Sequence, residues 1–70
     1  MYSKHREKLY NSVVELRQKA GLTQADLATS VDVTRQTIIA IEKGDYVPSV
    51  LLAIKIAKHF KTTVEKVFYV

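Results

Sequence analysis

The sequence predicts an all-α fold, a bundle of five helices, on three observations. Residues that favour helix N-caps recur along the chain, each at the start of a segment with apolar residues at helical spacing: Ser12, Thr23, Thr34, Ser49 and Thr62. Apolar residues then recur at intervals of three and four, which is the period of an amphipathic helix. With two glycines and one proline in 70 residues, the composition is that of one folded domain spanning residues 1–70.

The first helix is predicted to begin at Ser12, because Ser12 and Glu15 have the spacing of a capping box. The helical period also continues upstream, so a start near residues 3–4 is open as well. The helix is predicted to end before Gly21, which as a C′ residue can take the left-handed conformation.

Two further helices follow, joined by a tight turn. Thr23 is predicted to cap the first of them in a capping box with Asp26, and Thr34 to cap the second. The turn falls at residues 31–33. Two capped helices separated by three or four residues form a helix-turn-helix. The apolar positions of the two helices agree with this packing: Leu27, Ala28, Val31, Ile38 and Ile41.

The last two helices follow a loop that Gly44 is predicted to open and Pro48 to close. Ser49 is predicted to cap helix 4, which ends near Phe60. Five apolar residues are predicted to form its buried side: Val50, Leu51, Ala53, Ile54 and Ala57. A capping box from Thr62 to Glu65 predicts a short helix 5.

The third helix has two unlike faces. At about 100° per residue, one arc of roughly 140° holds Arg35, Gln36, Ile39, Ala40 and Lys43. The opposite arc holds Thr34, Thr37, Ile38, Ile41 and Glu42. The first arc combines a guanidinium, an amide, a small apolar patch and an ammonium group, which suits a helix that enters the major groove of DNA.

The run LRQKAGLTQADLATSVDVTRQTIIAIEKGDYVPS resembles the DNA-binding domain of phage repressors and Cro, the Xre family of regulators. The resemblance covers about residues 12–68. It implies a lambda-repressor-like fold and a sequence-specific transcriptional regulator that binds double-stranded DNA. The family usually has glycine in the turn where this chain has Asp32, a position that tends to need a positive φ.

The predicted DNA-binding residues are Gln24, Thr34, Arg35, Gln36, Thr37, Ile39 and Lys43. Arg35 and Gln36 are candidates for reading guanine and adenine, respectively. The resemblance gives Gln24 a phosphate contact at a helix N-terminus. Thr37 either reaches a phosphate or is only structural. Ile39 either contacts a thymine methyl group or is a single exposed apolar residue of no special role.

Two further predictions concern an ion pair and the C-terminal residues. The resemblance implies that Arg17 and Glu42 form a partly buried structural ion pair between helices 1 and 3. The chain ends on three large apolar residues, which either fold back onto the core or belong to a dimer interface. The resemblance favours a homodimer through Val64, Val67, Phe68, Tyr69 and Val70.

The composition excludes several kinds of function. Eleven basic and seven acidic residues give a net charge of +4, which supports nucleic-acid binding only together with the motif above. The chain has no cysteine, and its two histidines are far apart, so no metal or cofactor is predicted. No catalytic constellation, effector domain, signal peptide or membrane span is predicted, which favours a cytoplasmic regulator over an enzyme.

Three alternatives stay open. Residues 1–10 are either a solvated lead-in or a basic arm that follows the phosphate backbone or a minor groove. The same fold could serve as a protein-interaction module, an antitoxin or adaptor, with Ile39 and the C-terminal residues as its partner surface. It could also bind nucleic acids without sequence preference.

Overall fold

A computed structural model describes residues 7–70 as five helices and one short pair of strands. The order is β1 (Tyr10–Asn11), α1 (Val13–Lys19), α2 (Gln24–Ser30), α3 (Arg35–Lys43), α4 (Val50–His59), α5 (Val64–Val67) and β2 (Phe68–Tyr69). The predicted five-helix fold is confirmed. The strands are an addition to it. The alternative helix start near residues 3–4 and most of the basic lead-in lie outside the described residues.

The strands close the molecule by joining its two ends. β1 and β2 are antiparallel, with Tyr10 opposite Tyr69 and Asn11 opposite Phe68. The two tyrosine rings stack on the outside with their centroids 6.3 Å apart. Because residues 10–11 are extended, α1 cannot continue upstream through them.

The predicted capping box at the start of α1 is wrong. Ser12 is the N-cap residue, but its side chain makes no capping hydrogen bond. Its hydroxyl instead donates to the Tyr69 hydroxyl at 3.3 Å. The side-chain oxygen of Asn11 accepts the Val13 backbone N–H at 3.1 Å and so satisfies a free donor of the first turn.

The caps of the three central helices form as predicted. At α2 the Asp26 N–H donates to Thr23 Oγ1, and the Thr23 N–H donates back to Asp26 Oδ2, both at 3.0 Å. Thr34 Oγ1 accepts the Thr37 N–H at 3.3 Å, and Ser49 caps α4 in the same way. The predicted box at α5 is wrong. The N-cap residue of that helix is Thr63, and it makes no side-chain bond.

Four helices end in the same way, on a left-handed residue followed by a Schellman-type bond. At the end of α2 the Val33 N–H donates to the Ala28 carbonyl, and at the end of α4 the Thr62 N–H donates to the Ala57 carbonyl. The left-handed residues are Gly21, Asp32, Gly44 and Lys61, with φ of 71°, 62°, 81° and 56°. Asp32 therefore occupies the positive-φ position that the sequence indicated.

We expect Asp32→Gly to stabilise the fold by about 0.5 kcal/mol. Glycine relieves the strain of the left-handed backbone, and this gain exceeds the extra chain entropy that glycine loses on folding. The melting temperature should then rise by roughly 2–4 °C. Lys61→Gly should act alike. Gly21→Ala is the control, since an added Cβ meets no atom within 4 Å there and only the backbone strain remains. A lower melting temperature for Asp32→Gly would show that the aspartate side chain compensates for its strain.

The core takes buried side chains from all five helices, with α2 packed on α3 and α4 packed on α5. Its completely buried large side chains are Val13, Leu27, Ile38, Ile41, Ile56 and Val67. The predicted buried side of α4 is partly wrong. Ala53 and Ala57 are buried, together with Leu52 and Ile56. The exposed residues are Val50, Leu51 and Ile54. Because α4 is apolar on nearly every side before Lys55, its periodicity does not select one face.

Candidate nucleic-acid interface

The outer face of α3 presents polar groups to solvent at its N-terminal end. Arg35 and Gln36 are exposed in the first turn, which the Thr34 cap holds in place. On the opposite side, Ile38 and Ile41 are buried and fix the rotation of the helix about its axis. The side chains predicted to read bases therefore point outward from a rigidly packed helix.

A nearly buried ion pair ties the end of α3 to α1. Arg17 Nε lies 2.8 Å from Glu42 Oε2, with the two side chains 13% and 6% exposed. A second guanidinium nitrogen of Arg17 donates to the Leu22 carbonyl at 3.0 Å, in the loop that leads to α2. The pair therefore holds three parts of the chain together: α1, α3 and the start of the helix-turn-helix.

Gln24 connects this ion pair to the exposed N-terminal end of α3. Its Nε2 donates to Glu42 Oε1 at 2.9 Å, and its Oε1 accepts from a terminal nitrogen of Arg35 at 3.3 Å. The side chain predicted to contact phosphate is thus half-buried between a carboxylate and a guanidinium. One chain of hydrogen bonds runs from Arg17 through Glu42 and Gln24 to Arg35. Sequence patterns gave no signal for the two links through Gln24, because they join residues 18 and 11 positions apart.

The remaining predicted DNA-binding residues lie on or beside the same face. The hydroxyls of Thr34 and Thr37 are 3.2 Å apart and bond each other, with Thr37 half-buried. Ile39 is also half-buried, and Lys43 is exposed in the last turn. Gln36, Ile39 and Lys43 follow one another at three- and four-residue spacing, which places them along one stripe of the helix.

Asn11 is a structural contributor that the sequence analysis missed. Its Nδ2 donates to the Ile41 carbonyl at 3.0 Å, near the end of α3, while its Oδ1 caps α1. One side chain thus fixes α3 to the start of α1. The available signal was that asparagine is as good a capping residue as the neighbouring Ser12.

The predicted dimer residues divide between core and surface. Val67 is completely buried and Phe68 is 8% exposed, so neither offers surface to another subunit. Val64 packs against the core as well. Tyr69 and Val70 are exposed. Of the three C-terminal residues predicted either to fold back or to join a dimer interface, Phe68 packs into the core, where β2 pairs it with Asn11 of β1.

The capping box of α2 lowers the pKa of Asp26 below its ordinary value of 3.8, chiefly through the Thr23 backbone N–H and then the Thr23 hydroxyl. Because the folded-state pKa is the lower one, the carboxylate contributes stability above pH 3.8, and that contribution is lost as the pH falls through the folded-state pKa. We expect Asp26→Asn to reduce the fall in melting temperature between about pH 5 and pH 3. Asp45→Asn is the control. An unchanged acid dependence in Asp26→Asn would contradict this assignment.

Other kinds of site find little support in residues 7–70. No three histidine, aspartate or glutamate side chains in this part of the chain lie together as metal ligands would. None of the described helices is long and apolar enough to cross a bilayer.

Comparison with known proteins gives one consistent result. The helix-turn-helix family HTH_3 matches residues 13–67. The chain is 58% identical over 59 residues to YgzD of Bacillus subtilis, an uncharacterized HTH-type transcriptional regulator, covering 84% of this chain and 89% of that protein. It is 53% identical over 58 residues to MJ0272 of Methanocaldococcus jannaschii, which has the same description, covering 83% and 88% of the two chains.

Solved structures show the same fold. The restriction-modification controller protein C.AhdI of Aeromonas hydrophila superposes with a TM-score of 0.71 at 26% identity, over 77% of this chain and 82% of that one. The clp gene regulator ClgR of Corynebacterium glutamicum also superposes with a TM-score of 0.71, at 21% identity, over 76% of this chain and 56% of that one. At that identity the second likeness concerns the fold alone.

Proposed function

The chain belongs to the HTH_3 helix-turn-helix family, whose members are DNA-binding transcriptional regulators and not enzymes, and on this premise we propose that it represses transcription as a homodimer on a palindromic operator. The observation that supports sequence-specific binding most directly is the outward position of Arg35 and Gln36 on a packed α3. Repression needs no further part, because a protein seated on a promoter excludes the polymerase sterically.

The hydrogen-bonded chain behind α3 supports base reading by Arg35. A free arginine side chain loses conformational entropy when it forms a bidentate contact with guanine. Here the Arg35 guanidinium already bonds Gln24, whose own position is set by Glu42. Part of that conformational entropy of Arg35 is therefore already lost when the protein folds. The same contact brings Gln24 to the side of α3 where a phosphate would lie.

A dimer is proposed on grounds of affinity and symmetry. One module of this kind covers only about 600–1,000 Å² on DNA. Two copies would place their α3 helices in successive major grooves, about 34 Å apart, and read two half-sites.

The test is a competition binding experiment with the wild-type chain. Duplexes selected from a random pool should bind about 10³-fold or more tightly than random duplexes, and the selected sites should be palindromic. Affinity should fall steeply with salt as phosphate counterions are released. Equal binding to selected and random duplexes would support a nonspecific nucleic-acid binder instead. No binding to either would support the protein-interaction module.

Ile39 is proposed to contact a thymine methyl group, since it lies half-buried on the stripe between Gln36 and Lys43. We expect Ile39→Ala to weaken binding only to sites with thymine at one position. Replacing that thymine by deoxyuridine, which lacks the methyl group, should weaken the wild type and leave Ile39→Ala unaffected. If the losses in binding free energy from Ile39→Ala and from deoxyuridine add independently, the proposed contact is rejected.

A further inference from the structure

We propose that the outer face of α4 and the loop before it, and not the C-terminal residues, form the surface through which two copies of this chain dimerise. This inference rests on the proposed homodimer and assigns its interface. The surface, called the α4 face below, consists of Tyr46, Val47, Val50, Leu51 and Ile54.

The α4 face is unusual in how much apolar area it leaves in water. Val50 is 76% exposed and Leu51 is 64% exposed, although both begin a helix whose other side is core. Together the five side chains expose on the order of 500 Å², the size at which the largest apolar patch of a soluble protein is often functional. Single exposed apolar residues need no explanation, but five adjacent ones indicate a partner.

The shape of the surface fits a copy of itself. A groove of about 260 Å³ lies between the turn of the helix-turn-helix and α4, and its apolar walls include Val31, Val33 and Leu52. Val50 stands outside the groove as the most exposed of the neighbouring side chains. In a twofold dimer the same patch meets itself, so Val50 of each subunit can enter the groove of the other.

The charges of the groove favour a second copy over a nucleic acid. Its charged side chains are one carboxylate, Asp32, and one ammonium, Lys55. A phosphate-binding surface would be uniformly basic, whereas a patch that meets itself across a twofold axis needs both signs to avoid repulsion. Two such faces together bury on the order of 1,000 Å², which is the lower limit for a specific complex. This area is enough for a reversible dimer that is stabilised further when both subunits bind DNA.

The position of the α4 face suits the proposed operator. The loop residues Tyr46 and Val47 follow closely on the end of α3, and Thr37 of α3 lines the same groove. A twofold axis through this surface therefore sets the two α3 helices on either side of it. The exposed C-terminal pair, Tyr69 and Val70, forms a smaller patch of three residues together with Tyr10 of β1, whose ring stacks on Tyr69.

The decisive variant is Leu51→Glu, with Val70→Glu as its control. Both place the same charge at an exposed apolar residue, and Val70 is 80% exposed. Leu51 lies in the first turn of α4, which carries no acidic residue, so glutamate there favours the helix and the variant should stay folded as a monomer. Val50→Ala, which removes contact area without adding charge, should weaken the dimer roughly tenfold.

Sedimentation equilibrium should show a dimer for the wild type and Val70→Glu, and a monomer for Leu51→Glu. On DNA, Leu51→Glu should lose about 10²-fold or more in affinity for the palindrome, while its affinity for a single half-site stays within about twofold of the wild type. A dimer that survives Leu51→Glu, or one that Val70→Glu breaks, would overturn the proposal. So would a wild-type chain that stays monomeric on its palindrome. If the wild type does not recognise a single half-site, that result would instead count against the proposed function.

Discussion

Replacement of Glu42 by alanine is expected to cost about 3–5 kcal/mol of the free energy of unfolding, because it leaves the nearly buried Arg17 guanidinium without its counter-charge. The carboxylate of Glu42 also accepts from Gln24, so a third group loses its partner. For a chain of 70 residues, the whole free energy of unfolding is only about 4–10 kcal/mol. The variant should therefore lose a large part of its stability.

Urea unfolding followed by circular dichroism measures this effect. The control is the double variant Arg17→Met/Glu42→Leu, which replaces both charged groups by apolar side chains. We expect it to recover most of the lost stability, since an unpaired buried charge costs more than an absent pair. A loss below about 1 kcal/mol for Glu42→Ala would place the ion pair among ordinary surface pairs.

The same double variant also separates stability from DNA recognition. We expect it to fold without Glu42, and in it no carboxylate holds the Nε2 of Gln24 in place. If the hydrogen-bonded chain orients Arg35 for base reading, this variant should fold well and bind its selected duplex less tightly than the wild type. Equal binding would show that Arg35 finds its base without help from Gln24.

Arg35→Ala is expected to lose about 5–150-fold in affinity for the selected duplex, which corresponds to the 1–3 kcal/mol of a bidentate contact with guanine. The loss should be confined to duplexes that carry the matching base pair. Gln36→Ala should lose a similar factor at a different base pair. Both side chains are exposed, so neither change should alter the melting temperature by more than a few degrees.

Lys43→Ala is the matched control for Arg35→Ala. It also removes one positive charge from an exposed position on α3. As a phosphate contact it should weaken binding to every duplex alike and lower the slope of log affinity against log salt by about 0.9. If Arg35→Ala behaves in the same way as Lys43→Ala, then Arg35 contacts the DNA backbone and does not read sequence.

The sequence alone determined much of the local structure of this protein, although not the capping boxes predicted for α1 and α5. Thr23, Thr34 and Ser49 cap their helices as predicted, because a cap is completed by a backbone group three residues away. Gly21 and Gly44 end theirs for the same short-range reason. The family resemblance followed from the order and spacing of these elements, and residues 13–67 match that family.

Only the tertiary structure decided which surfaces face inward. In α4 nearly every residue before Lys55 is apolar, so periodicity allowed several faces, and the helices packed against it selected Leu52 and Ile56. The choice left Val50 and Leu51 in water, where the proposed interface lies. Likewise β1 forms only because β2, at the other end of the chain, lies beside it. The contacts of Gln24 join residues brought together by packing, and no local pattern encodes such contacts.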